Sequence, residues 1–370
     1  MRSTTGKRLK GSGSRRPTLL DVAREAKVSV MTASNVVNNR SPVRLETQRR
    51  VRKAIQRLGY RPQSQARGLR LARSWAIGMQ IVMKKPDFLA SPWMGRMVAG
   101  LSNTLNQGGY GLLLHSQSAD ALDESVLLKL ANTDGLITIL SGPDEERMAI
   151  LKRLLALKQP VIALQETLVP RPGADFAVVR QDDFEGAAKL AAHLLDQGSR
   201  RLVFLAPDFS WPNMVERTRG LELTVTRTRG ASLRVVMCKD ENYESVESTI
   251  VRELTDHGLP DAFVAGNEPI ALAVLDVVER NGYSVPKDVM LTGFNAFDLW
   301  FFARKRITTI DFPAYEIGVR AGETMLGRLQ TGRFSRRVDV FPHRFIQGVT
   351  TTAPSQERAD RTTAKAVTDR

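Results

Sequence analysis

From residue 75 to residue 329, short apolar runs alternate with amphipathic helical patterns, and this alternation restricts the fold more than any other feature of the chain. Nine runs read as strands, beginning with 75–83, 111–115 and 135–140 and ending with 262–266 and 289–293. Eight helical patterns lie between or after them, from 94–107 to 315–329. Regular alternation of this kind predicts parallel sheets covered by helices on both faces, and the length suits two such units.

Ahead of that region lies a compact basic segment, residues 18–69. Thr18 and Asp21 form a Thr-x-x-Asp capping pattern, after which Val22, Ala23 and Ala26 fall on one helical face. A break at Lys27-Val28-Ser29 follows, with Ser29 placed to cap a second helix whose inner face is Ala33, Val36 and Val37. Two short helices across so tight a turn make a helix-turn-helix. A third helix is predicted over 45–58, with Val51, Ala54, Ile55 and Leu58 as its apolar stripe and Gly59 as its stop.

Charge follows the same division. Residues 1–73 hold 19 Lys+Arg against 3 Asp+Glu, a balance of +16, whereas residues 74–370 hold 35 against 36, a balance of −1. Cations gathered beside a helix-turn-helix are the footprint expected of phosphate contacts. Cys238 has no partner for an internal disulfide, and with four histidines there is no cluster at metal-ligand spacing, so neither metal nor cofactor is expected. No run approaches the roughly 18 apolar residues of a membrane span, and residues 1–16 lack a secretory apolar core. A cytoplasmic protein without membrane contact is expected, with residues 1–16 a disordered basic arm and 353–370 a disordered polar tail.

The text T-L-L-D-V-A-R-E-A-K-V-S-V-M-T-A-S-N-V-V-N from Thr18 and T-Q-R-R-V-R-K-A-I-Q-R-L-G-Y-R-P-Q-S-Q-A-R-G-L from Thr47 resembles the LacI-type transcriptional regulators. Looser matches follow at Asp134-Gly135-Leu136-Ile137, Pro160-Val161-Ile162, Asp182 to Gly186, Glu216 to Gly220, Asn267-Glu268 and Gly293-Phe294-Asn295. The resemblance implies an all-α helix-turn-helix headpiece (17–60) and a hinge helix with linker (61–74). These would join an α/β core (75–352) of two doubly wound parallel lobes, similar to periplasmic sugar-binding proteins. Lobe 1 would comprise about 75–177 and 309–340, and lobe 2 about 178–308 and 341–352. It further implies a bacterial repressor, nucleoid-associated when bound, that grips a palindromic double-stranded operator as a homodimer and answers to a small effector in the cleft. Whether dimers pair into tetramers stays open.

Within that frame Val30, Met31 and Asn35 take the outward positions of the second helix. Asn suits adenine, and the two apolar side chains suit a thymine methyl. Thr18, Ser29, Thr32, Ser34, Asn38 and Thr47 are placed for phosphate oxygens, which set register without reading sequence. Tyr60, Arg67 and Leu69 match the DNA-contacting hinge text, with Leu69 the side chain wedged between base pairs at the operator centre. For the effector the candidates are Arg217, Asn267 and Asn295, with Gln165 and Glu268 behind them; Trp93, Tyr243 and Phe312 could stack on a sugar face but read more readily as core. The effector would be a sugar, sugar acid or nucleoside.

Several positions depart from the family text. Lys27 stands where the turn has Gly, Arg44 where a Ser cap is usual, Gln63 where the hinge has Asn, Asn295 where Asp is usual, and Arg306 where Pro is expected. Two other classes fit the core alone. A solute-binding protein would lack the basic reader, and a sugar-processing enzyme would need a catalytic constellation that the sequence does not present, since Gly108-Gly109-Tyr110-Gly111 precedes a strand instead of opening a helix.

Overall fold

The computed structural model describes residues 17–38, 42–60, 73–83, 91–118, 122–168, 173–207, 211–239, 241–295 and 305–351. The chain divides into two compact units, Met1–Ser74 and Trp75–Arg370.

The first unit contains α1 (Leu19–Glu25), α2 (Val30–Asn38) and α3 (Leu45–Leu58). Thr18 and Asp21 close a reciprocal capping box, the Thr18 N–H and hydroxyl both donating to Asp21 Oδ2 at 2.8 and 2.6 Å. The turn runs through Lys27 at φ +53°, a left-handed residue where the family text has Gly. Ser29 Oγ accepts from the Thr32 N–H at 3.0 Å and so caps α2, while Arg44 gives α3 no side-chain cap. Gly59, at φ +61°, ends α3. The core is small: Val22, Ala26, Val36, Val51 and Ala54, flanked by Val28, Val43, Ile55, Leu58 and Tyr60.

The second unit begins with β1 (Ala76–Val82), α4 (Pro92–Gln107), β2 (Gly111–Gln117), α5 (Glu124–Ala131), β3 (Gly135–Leu140), α6 (Asp144–Leu155), β4 (Val161–Leu164) and β5 (Phe176–Gln181). It continues with α7 (Asp183–Asp196), β6 (Arg201–Pro207), α8 (Pro212–Thr226), β7 (Ser232–Cys238), α9 (Tyr243–His257), β8 (Ala262–Ala265), α10 (Glu268–Arg280) and β9 (Met290–Phe294). β10 (Thr308–Asp311), α11 (Ala314–Thr331), β11 (Val338–Phe341) and β12 (Arg344–Ile346) complete it. Two six-stranded sheets result, ordered β11-β5-β4-β3-β1-β2 and β12-β10-β9-β8-β6-β7. All pairings are parallel except β10 with β12. The central strands are buried on both faces, which is why they read as unbroken apolar runs.

The chain passes between the lobes three times, and here the expected boundaries need correction. β5 stays in the first sheet to Gln181, so the crossing falls after 181 and not at 177. β10 lies in the second sheet, so residues 309–311 belong to lobe 2 and the crossing follows Asp311. The third crossing follows Phe341, the end of β11. The polar ends of β5 and the Thr-rich β10 look like loops because their neighbours across the sheet, not their own apolarity, make them strands. For the same reason β10, β11 and β12, each four residues or fewer, are absent from the nine runs read in the sequence.

Helix pairs in both lobes cross at backbone distance. A Cβ on Gly318 would stand 2.0 Å from the Met97 carbonyl, and one on Gly100 2.1 Å from that of Tyr315, so α4 and α11 meet only because both positions are bare. Gly220 plays this part for α7 and α8, against the Phe184 carbonyl at 2.2 Å. Among the described residues no helix is long and apolar enough to cross a membrane.

Gly318→Ala is therefore expected to destabilise the core by about 2–3 kcal/mol or more, read as a lower denaturant midpoint. Lys27→Gly should act in the opposite sense on the first unit, raising its stability by about 0.5–1 kcal/mol as the left-handed turn is relieved. A lower first-unit midpoint in that variant would refute the strain.

Candidate DNA-reading surface and effector site

On the first unit, α2 turns Ala33 and Val36 inward and leaves Val30 and Met31 43% and 71% exposed. The two side chains leave an apolar spot in water at the start of the helix. Asn35, Thr32, Ser34 and Thr47 are half-buried. Ser29 is exposed, and its hydroxyl lies 2.8 Å from that of Thr32, so the two form one polar group at the α2 N-terminus. Thr18 is different. Both its donors go to Asp21, so in this conformation it offers none to a phosphate. Tyr60 packs against the small core, and burial holds its phenol above the ordinary value. The Asn38 side chain, Arg67 and Leu69 lie outside the described residues. Arg49, Arg50, Arg52, Lys53 and Arg57 are all exposed on α3.

In the second unit a chain of polar contacts joins the carboxyl ends of the two sheets. Gln165, just past β4, donates from Nε2 to Gln181 Oε1 at 3.4 Å and accepts the Gln181 N–H at 3.2 Å. Gln181 Nε2 donates to Asp183 Oδ1 at 2.9 Å, and Arg217 Nε donates to the same oxygen at 2.8 Å. Arg217 Nη1 donates to the Gly266 carbonyl just past β8. Nη2 lies 2.8 Å from Asp183 Oδ1 but off the line of a hydrogen bond. The guanidinium stacks on Phe294 at the end of β9, 4.1 Å from the ring centroid.

Arg217 thus faces no solvent. It is fully buried and already matched. Burial lifts the Asp183 carboxyl above the ordinary carboxylate range, against the pull of Arg217, Gln181 and Arg180. Gln165 likewise has both polar ends engaged. Asn267 uses its side-chain oxygen to cap α10, accepting the Ile270 N–H at 3.0 Å, which leaves its amide donors. Glu268 is buried in the first turn of that helix.

Gln165 and Asn295 hold left-handed backbones, at φ +57° and +75°. The Gln165 conformation is secured by the next residue. Glu166 and Arg147 form a buried two-pronged pair at 3.0 and 3.1 Å, and Glu166 Oε1 also accepts the Thr167 N–H at 2.8 Å. Asn295 is held by its N–H to the Ile310 carbonyl at 2.7 Å. Strain kept in place by its surroundings is a mark of functional positions.

Several buried polar atoms near these strand ends have no hydrogen-bond partner: Asn295 Oδ1, Thr292 Oγ1, Gln80 Oε1 and Trp93 Nε1. They call for a polar ligand or water. Trp93 and Phe312 otherwise join the apolar core. Tyr243 instead donates its hydroxyl to Asp276 on the α9–α10 surface. Gln181, Asp183 and Phe294 were not singled out as site residues by sequence reading, although the Q-D-D text after an apolar run marks a strand end. Among the described residues no group of side chains is arranged to hold a metal ion.

Residues 18–63 match the family described as bacterial regulatory proteins, lacI family, and residues 191–351 match the periplasmic binding protein-like domain. The catabolite control protein A of Priestia megaterium is 27% identical over 334 residues, covering 88% of this chain and 97% of that protein. The ribose operon repressor of Bacillus subtilis is 27% identical over 338 residues, 90% of this chain and 98% of its own. In fold the chain is similar to the lac repressor dimer bound to operator and the anti-inducer ONPF, with a TM-score of 0.77 at 22% identity, covering 92% of this chain and all of that one.

Removing the anion alone should expose what the buried pair carries. Asp183→Leu is expected to cost roughly 3–5 kcal/mol by stranding Arg217, while Asp183→Leu with Arg217→Met should recover most of it. Urea midpoints of both variants decide this; a double variant no more stable than the single would deny the pair its structural part.

Proposed function

Because the chain belongs to the lacI family of bacterial regulatory proteins and is a DNA-binding transcription regulator, we propose that it is a cytoplasmic repressor controlled by a neutral, hydroxyl-rich effector. The observation that carries the DNA half is the α2 surface, where Val30 and Met31 stand in water while Ala33 and Val36 anchor the helix from behind. In the proposed complex α2 lies in the major groove. Val30 and Met31 meet thymine methyls, Asn35 pairs with adenine, and Ser29, Thr32, Ser34 and Thr47 hold phosphates. Arg67 and Leu69 act from the hinge in the minor groove, Leu69 as the wedge.

Two readers must meet two half-sites, so the second unit must dimerise. The edge strands β2 and β7 hold corresponding places in the two sheets, and each carries exposed apolar side chains: Leu113 and Leu114 on β2, Val235 and Met237 on β7. Leu128 on α5 and Val251 on α9 are exposed as well. Apolar surface on both lobes supports a symmetric pair.

The effector half rests on the strand ends. Since Asp183 already matches Arg217, the site favours a sugar or nucleoside over a sugar acid, with Arg217 Nη2, Asn267 and Asn295 meeting hydroxyls beside Trp93 and Thr292. Glu268 shapes the wall from the first turn of α10. Binding that favours one spacing of the lobes changes operator affinity by that differential alone. The reading gives the chain no catalytic step. The ribose operon repressor, by its name, acts on a sugar operon, and the lac repressor structure holds operator DNA; both lend support.

Selection of bound duplexes from random DNA tests the proposal directly, and a palindrome is expected. Against that site Asn35→Ala should lose about 1–3 kcal/mol of specific affinity and relax discrimination at one base pair per half-site. Leu69→Ala should weaken specific binding far more than non-specific binding, and equal losses on both would sink the wedge.

A further inference from the structure

The core's near-neutral charge hides a separation of charge within lobe 1. Acidic residues gather where its helices begin, at Asp123 and Glu124 before and in α5 and at Asp144, Glu145 and Glu146 in α6. Cations gather at the opposite end, where the strands of the first sheet begin. Lys129, Lys152 and Arg153 occupy the last turns of α5 and α6, and a helix C-terminus alone accounts for them.

Four more cations lie in the turns beyond the helix ends. Lys158 lies in the turn before β4, and Arg333, Arg336 and Arg337 lie in the turn before β11; all four are exposed and none is in a helix. Their backbones are fixed. Lys158 is held left-handed at φ +56°. The Arg337 carbonyl accepts the Val178 N–H at 2.8 Å, and the Thr331 hydroxyl donates to the Arg333 carbonyl at 2.9 Å. The acids at this end are engaged chiefly with other groups. Asp175 takes two bonds from Arg328, at 2.7 and 2.5 Å, and Asp134 accepts the Trp75 N–H at 3.0 Å. Asp339 pairs with Arg320 at 2.6 Å and reaches Arg336 only at 3.4 Å.

This is also the end at which the chain arrives from the reader. Trp75 is fixed there by Asp134, by the Gly111 N–H donating to its carbonyl at 2.9 Å, and by its ring against Tyr110. A positive surface at the point where a DNA-binding unit is tethered fits a polyanion that the tether brings near.

We propose that the turns carrying Lys158, Arg333, Arg336 and Arg337 form a second DNA contact surface, made by the regulatory core on the phosphate backbone flanking the operator. The inference rests on the DNA-binding reading. Contacts of this kind add affinity and salt dependence without adding sequence preference, and they make affinity depend on duplex length beyond the operator.

The test compares the full-length protein with a Lys158→Gln/Arg333→Gln/Arg336→Gln variant, on the selected operator as a minimal duplex and with roughly one extra helical turn, about 10 base pairs, at each end. Fluorescence anisotropy at several salt concentrations gives the affinities. The wild type should bind the extended duplex more tightly, with a steeper salt slope. The variant should keep wild-type affinity on the minimal duplex and lose the gain on the extended one, its slope there falling by about 2–3 for each protomer engaged. An unchanged thermal midpoint confirms that it folds, as three exposed substitutions should. If the variant follows the wild type on both duplexes, the surface does not touch DNA and the inference falls. It falls equally if the variant loses only the binding of an acidic protein. Absence of any enriched operator for the wild type is a different outcome, which removes the regulator reading itself.

Discussion

A buried guanidinium must be matched on several sides at once, and the matching of Arg217 arranges the floor of the proposed effector cleft. Its charge is met by Asp183, one N–H by the Gly266 carbonyl and its face by Phe294, so α7, α8, β8 and β9 are brought to one point. Taking both charges out of water costs several kcal/mol, and Coulomb attraction offsets this only when the remaining hydrogen-bonding capacity is filled. Gln181 fills part of it, and Gln165 holds Gln181. The contacts therefore run outward from the ion pair to the ends of β4 and β5 in the other sheet. Arg147 and Glu166 repeat the device one residue beyond Gln165 and keep that segment in its left-handed turn.

This arrangement separates the site's structural polarity from its free polarity. The charges are balanced internally, and apart from Arg217 Nη2 the unpartnered atoms, among them Asn295 Oδ1 and Thr292 Oγ1, are uncharged. A ligand entering here meets dipoles and not a net field, which favours groups that donate and accept at fixed angles. Hydroxyls are such groups, and the left-handed Asn295 aims a side chain that a relaxed backbone would direct elsewhere.

Local chemistry was legible in the sequence wherever it acted over a few residues. The Thr18–Asp21 box, the Ser29 cap and the Gly59 stop all stand where their spacing placed them, and Lys27 is left-handed where the family text has Gly. Long apolar runs identified nine strands for the same reason. What escaped depends on partners distant in sequence. Arg217 and Asp183 are 34 positions apart, and residue type alone could not show that the cation was already matched. β10, β11 and β12 are short and carry polar residues, unlike the equally short but wholly apolar β4 and β8, and exist through their neighbours, so the lobe boundaries drawn through 177 and 309 cut strands that the sheets keep whole. The hinge, with Arg67 and Leu69, lies outside the described residues and rests on family resemblance.

The three passages of the chain between the lobes, after Gln181, Asp311 and Phe341, have a mechanical consequence. One strap would let two bodies swivel freely, and two would still allow them to fold about any line through both attachments. Three straps side by side resist twist and shear together and leave one easy axis, along their row. Closure of the proposed cleft would then be a rotation about that axis, a lever with a single stroke. A protein built this way can report occupancy in one geometric variable, the angle between its two sheets, whatever the shape of the molecule that fills it.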